Sequence, residues 1–106
     1  MEQDRYGRWF GRDMSLQFNN VPPVEGKAAV LGFLKQFTTG FKAIRHAHGE
    51  LVLAESRGAG EAEITFTRHD DSEASVRGVT TVIRGPDGLF QRMAIYADFS
   101  ALYPAD

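Results

Sequence analysis

Between Glu61 and Arg68 the chain reads EAEITFTR, with Ala62, Ile64 and Phe66 alternating against Glu61, Glu63, Thr65 and Thr67. A period of two sends successive side chains to opposite faces, so this segment is predicted to be a strand buried on one side. Met14 to Phe18, MSLQF, alternates in the same way. From Lys27 to about Thr39 the period lengthens. Val30, Phe33, Leu34, Phe37 and Phe41 recur at helical spacing, and Gly40 supplies a stop. Pro22 and Pro23 separate that helix from the strand before it, because proline suits neither a helix interior nor a central ladder. Past the helix the period returns to two. Ala43 to Ala54 is predicted as a strand kinked at Gly49, RGAG (Arg57 to Gly60) as a turn, Ala74 to Arg84 as a β-branched strand and Leu89 to Phe99 as the last strand. HDDSE and GPDG make the remaining turns. Asp4 to Phe10 is predicted as a short helix, with Tyr6 and Phe10 on one face and Trp9 beside them. Helices first and a strand meander afterwards imply an α+β domain with helices on one face of a curved, largely antiparallel sheet.

Composition narrows the function more than the fold. At 106 residues, with 42% hydrophobic and 25% charged, the chain suits a single domain spanning 1–106 with a packed core. A net charge of −2 argues against a general nucleic-acid binder, which carries a basic surplus. No apolar run is long enough to cross a bilayer, and the charged start MEQDRYGRWFGRD lacks the core of a signal peptide, so the expected location is cytoplasmic. The absence of cysteine excludes disulfides and thiolate metal sites. Eight Phe, three Tyr and one Trp are enough either to fill a core or to line an apolar cavity.

The segments DMSLQFNNVPPVEGKAAV, FKAIRH, EITFTRHD and PDGLFQRMAIYADFSALY, in that order, resemble the SnoaL-like branch of the nuclear transport factor 2 superfamily, which includes ketosteroid isomerases, limonene-type epoxide hydrolases and polyketide cyclases. The resemblance covers most of the chain from Trp9 onward and rests on pattern and spacing. It implies a cone-shaped, mixed sheet packed against N-terminal helices, with the first helix shortened here. It also implies a homodimer joined through the outer sheet face, where Tyr96 and Asp98 could contribute. The acids of the isomerases would fall near Phe18 and Thr80, and the last-strand acid of the epoxide hydrolases near Ile95. None of these three side chains can move a proton as a carboxylate does, which argues against both activities.

Alternation then assigns faces. On the last strand Met93, Ile95, Ala97 and Phe99 form an apolar set, and Phe90, Arg92, Ala94, Tyr96 and Asp98 form the outward set. Asp98 is therefore expected to point away from the cavity. Trp9, Phe18, Phe33, Phe37, Phe66, Thr80, Val82 and Ile95 are expected to line a pocket for a flat, mainly apolar molecule. In AIRHAHGE, His46 shares parity with Ile44 and is the candidate general acid/base, since imidazole titrates near neutrality. His46 and His48 lack an evident third ligand, and His69 lies in a turn, so neither a metal nor a cofactor is expected. Three functions follow: a homodimeric binding protein for an apolar small molecule, an isomerase, cyclase or hydratase using His46, or an interaction module whose cavity is filled by its own Phe residues.

Overall fold

The computed structural model describes residues 7–102. β1 (Phe10–Phe18), β2 (Val24–Glu25), α1 (Lys27–Thr39), β3 (Ala43–Ala54), β4 (Arg57–Thr67), β5 (Glu73–Arg84) and β6 (Phe90–Ala97) follow one another, and a 3-10 turn (Ser100–Leu102) closes the described chain. The strands form one six-stranded sheet in the order β2-β1-β6-β5-β4-β3. β3 to β6 meander antiparallel, and β1 inserts parallel to β6, so the sheet is mixed. The architecture is α+β, as the change of period implies.

Four expectations need correction. Residues 4–6 of the expected first helix lie outside the described residues and Gly7 is helical, but the helix ends there: Arg8 and Trp9 form a turn and Phe10 already belongs to β1. Phe10 is 2% exposed and faces Phe90 across the parallel pair, and the Phe90 N–H donates to Trp9 O at 2.8 Å. The strand therefore starts where core burial starts, ahead of the clean alternation at Met14. RGAG is strand and not turn: Ala54 pairs with Arg57, and the reversal is made by Glu55 and Ser56 alone. The last strand ends at Ala97, not at Phe99. Phe90 does not face outward: the β5–β6 register shifts between Ile83 and Arg84, and this bulge turns Phe90 toward Phe10, ring centroids 6.4 Å apart, in the core under α1.

The core has two neighbouring halves. Phe10, Met14, Leu16 and Val30 are buried, with Leu34, Phe90, Met93 and Ile95 packed around them. Ile64, Phe66, Val76 and Leu102 form the other half, covered by Phe37, Phe41 and Phe99. α1 lies across both because its apolar stripe runs Val30, Phe33, Leu34, Phe37. Its entry is fixed at Gly26, whose φ of 92° is readily reached only by glycine and whose N–H donates to Met14 O at 2.7 Å.

The end of β1 is held by Asn19. Its backbone is left-handed, φ 48°, and its N–H donates to Ile95 O at 2.9 Å. Its side-chain amide continues the ladder: Nδ2 donates to Ala97 O and Oδ1 accepts the Ala97 N–H, both at 2.9 Å. Asparagine is among the few residues that combine that backbone with those two bonds. Asn19→Ala is expected to destabilise the fold by about 2–3 kcal/mol, from two lost bonds and the left-handed backbone penalty. Urea denaturation checks it. Asn19→Gly, which keeps the backbone and loses the bonds, should recover about 1 kcal/mol of that.

Candidate functional site

Strand register decides which side chains share the inner face. Leu16, Met93, Val82, Gly58 and Leu53 align in one row, and Phe18, Ile95, Thr80, Gly60 and Leu51 in the next. Then come Ala97, Gly78, Ala62 and His48, followed by Val76, Ile64 and His46. The β3–β4 register shifts between His48 and Leu51, so a bulge at Gly49 and Glu50 keeps Leu51 and Leu53 on the same face as the histidines. Without it, strict alternation would send Leu51 and Leu53 outward.

α1 covers only part of this face. Beneath it Phe18, Phe33, Phe37, Phe41, Phe66 and Phe99 form a connected aromatic cluster. Phe18 stacks on Phe99 at 5.1 Å and 7°, and packs against Phe33 and Phe37 at 5.3 Å each. Phe66 meets Phe41 at 4.8 Å and Phe37 edge-on at 5.9 Å. Beside the cluster none of the described residues covers the sheet, which forms a concavity of about 470 Å³. Leu51, Leu53, Ile64, Val82, Met93 and Ile95 make its apolar wall, Thr80 adds a hydroxyl, and His46 and His48 stand at its edge. Gly58, Gly60 and Gly78 leave the floor free of side chains. At Gly78 this is a steric requirement, because a Cβ there would lie 2.8 Å from Ala97 Cβ and 3.0 Å from Tyr96 O.

The structure places His46, Thr80, Val82 and Ile95 in the concavity wall. Phe18, Phe33, Phe37 and Phe66 belong to the adjoining aromatic cluster. Trp9 stands apart, in the turn before β1, 51% exposed and with the Arg8 guanidinium 5.2 Å from its ring. Phe18, Ile95 and Thr80, the positions to which the resemblance assigns catalytic acids, are successive neighbours across β1, β6 and β5. The expected pocket set left out Ile64 and Met93, which alternation puts on the inner face, and Leu51 and Leu53, which strict alternation would turn outward. Gly49 was the available signal for the two leucines, as a glycine inside a strand marks a bulge.

The imidazoles of His46 and His48 are stacked, with centroids 5.8 Å apart and planes 10° from parallel. Among the described residues no group of three His, Cys, Asp or Glu side chains could hold a metal ion. Asp98 lies beyond β6 and is exposed. Its carboxylate accepts the Ser100 N–H at 2.9 Å, and that bond, with the Ser100 side chain, holds it below the ordinary carboxylate range. Asp98 is a cap for the 3-10 turn. Asp70 is held low in the same manner by the Ser72 hydroxyl and N–H. On the outer face Val79 and Tyr96 are cross-strand partners, 36% and 43% exposed, in a shallow depression shared with Glu61, Glu63 and Arg77.

A cupped mixed sheet with one long helix across it has solved counterparts. The chain superposes on a candidate SnoaL-like polyketide cyclase from Jannaschia sp. CCS1 with a TM-score of 0.83, over 97% of this chain and 80% of that one, at 16% identity. This is the SnoaL-like, NTF2-like fold. A second protein of this fold, from Mycobacterium tuberculosis, was crystallised with estradiol-17β-hemisuccinate and matches with a TM-score of 0.80 at 16% identity, over 94% of this chain and 84% of that one. A third, TerC, was co-crystallised with polyporic acid and matches at 0.78 and 18% identity, over 96% and 86%. No family model and no curated protein matches the sequence. Within the NTF2-like cone, the concavity here is the part of the inner face that α1 leaves open.

Proposed function

We propose that this protein binds a flat, mainly apolar small molecule on the inner face of the sheet, as a homodimer joined through the outer face. The observation that carries the reading is the concavity itself. A wall of Leu51, Leu53, Val82, Met93 and Ile95 over a glycine floor offers a smooth apolar surface against which a planar ring system can lie. Leu51 and Leu53 are 66% and 71% exposed, so apolar area remains to be buried. Two NTF2-like neighbours were crystallised with ring compounds, estradiol-17β-hemisuccinate and polyporic acid, which supports the ligand class. On the outer face, the exposed Val79–Tyr96 pair supports the dimer. Binding is favoured over proton transfer because Phe18, Thr80 and Ile95 hold the row where the resemblance puts catalytic acids. His46 in the wall is what supports the second reading, an isomerase, cyclase or hydratase with an imidazole as proton carrier.

Calorimetric titration with estradiol tests the binding reading. One molecule should bind per chain, with a negative heat-capacity change from apolar burial. Absence of saturable heat up to the solubility of estradiol would overturn it.

A further inference from the structure

We infer that two copies of this chain meet outer face to outer face about a twofold axis that crosses the row of Ala59, Thr81 and Ala94, with Arg57 of each chain on Glu61 of the partner subunit and Arg92 over the ring of Tyr96 of the partner subunit. The inference rests on the outer-face dimer proposed above and fixes its register. Strand pairing arranges the outer face in rows. Arg57, Ile83 and Arg92 align in one, Ala59, Thr81 and Ala94 in the next, and Glu61, Val79 and Tyr96 in the third. The first row borders one shallow depression and the third row another. The middle row carries small side chains, so a second sheet can approach closely there.

Charge is unevenly spread along this face. The first row carries two guanidinium groups and the third a carboxylate. None of these three groups forms an ion pair with a described residue, whereas Arg77 and Glu63, one row further, already pair at 3.9 Å. Arg57 and Glu61 lie about 13 Å apart along β4 at ~3.3 Å per residue, and they do not pair within the chain.

A twofold axis running across the strands over the middle row exchanges the first row with the third. It sets guanidinium against carboxylate at Arg57 and Glu61, Ile83 against Val79, and the Arg92 guanidinium against the Tyr96 ring as a cation–π contact. Neighbouring axes bring like charges together. Over the first row, Arg57 and Arg92 would each meet their own copies, and over the third row Glu61 would do so. An axis along β5 would set Arg57 against Arg92. The area is adequate: β1, β6, β5, β4 and β3 at about 4.8 Å spacing, over a shared length of about 30 Å, make a face of ~700 Å², close to the ~800 Å² that each partner buries in a standard interface.

Sedimentation equilibrium of wild type, R57E, E61R and an equimolar mixture of the two variants tests this. Arg57 and Glu61 are exposed, so both variants should fold. Wild type should be a dimer. Each variant alone replaces two attractive contacts per dimer by repulsive ones, and its dissociation constant should rise at least about tenfold. The mixture restores opposite charges at both contacts, so its heterodimer should match wild type to within about threefold. A wild-type dimer whose dissociation constant is unchanged by R57E and E61R, or variants that do not recover on mixing, would overturn the inference and leave the outer-face dimer standing. A wild type that stays monomeric at about 100 μM would overturn both.

Discussion

Phe66→Ala is expected to destabilise the fold by about 3–5 kcal/mol, the range for truncating a fully packed aromatic side chain. Phe66 is 2% exposed and is among the largest fully enclosed side chains. Its ring is the junction of the aromatic cluster, touching Phe37, Phe41 and Phe99 from three directions. Those rings come from α1, from the loop after it and from the segment beyond β6, so the void would open where three parts of the chain meet. A domain of this size is stabilised by about 5–15 kcal/mol in total, and the loss would be a large share of that. Leu53→Ala is the control: it removes a comparable apolar side chain that is 71% exposed, and stability should stay within about 0.5 kcal/mol. Urea denaturation of both variants checks the contrast. A loss below about 1 kcal/mol at Phe66 would mean that the cluster is loosely packed.

The second large effect concerns the floor of the concavity. Gly60 sits in the row of Phe18, Ile95, Thr80 and Leu51. A Cβ built there meets Leu51 Cδ1 at 3.4 Å and Glu50 O at 3.8 Å, so a Cβ fits without moving backbone. Gly60→Leu should leave stability unchanged or raise it by up to about 1 kcal/mol, because glycine inside a strand is unfavourable. The same leucine would occupy the surface on which a flat ligand lies, and estradiol affinity should fall at least about tenfold. Opposite signs for stability and affinity identify a glycine kept for space. A variant that loses stability together with affinity would identify a glycine kept for the fold.

Most of the architecture was legible because local periodicity reports burial. The helix of Val30, Phe33, Leu34 and Phe37 and the strand EITFTR stand where their periods put them. What stayed hidden depended on non-local pairing or on a shift of one residue. The parallel insertion of β1 beside β6, pinned by Asn19 on Ala97, joins segments at opposite ends of the chain. RGAG looked like a turn because glycine is the commonest turn signal, whereas Glu55 and Ser56 carry the reversal and the glycines serve the strand.

The candidate site was legible in part for related reasons. His46 and Val82 were placed on the inner face by parity, and Thr80 and Ile95 by parity together with the resemblance, and all four line the concavity. Leu51 and Leu53 escaped because the bulge at Gly49 and Glu50 reverses parity beyond it, as the one near Gln91 does for Phe90. Phe18 and Phe66 are on the inner face and Phe33 and Phe37 face it from α1, but parity does not say how far a helix extends over a sheet. α1 covers that end of the sheet, so the four rings pack against one another. No described residue covers the opposite end of the same face, and the apolar surface there carries the binding proposal.

The central claim is that a flat apolar ligand lies on the inner face against β3, β5 and β6. Intermolecular NOEs between bound estradiol and the protein's methyl groups test it most directly. The account predicts contacts to Leu51, Val82 and Ile95, with Val79 silent on the outer face. Contacts to Val79 and to the Tyr96 ring without any to Val82 or Ile95 would contradict it.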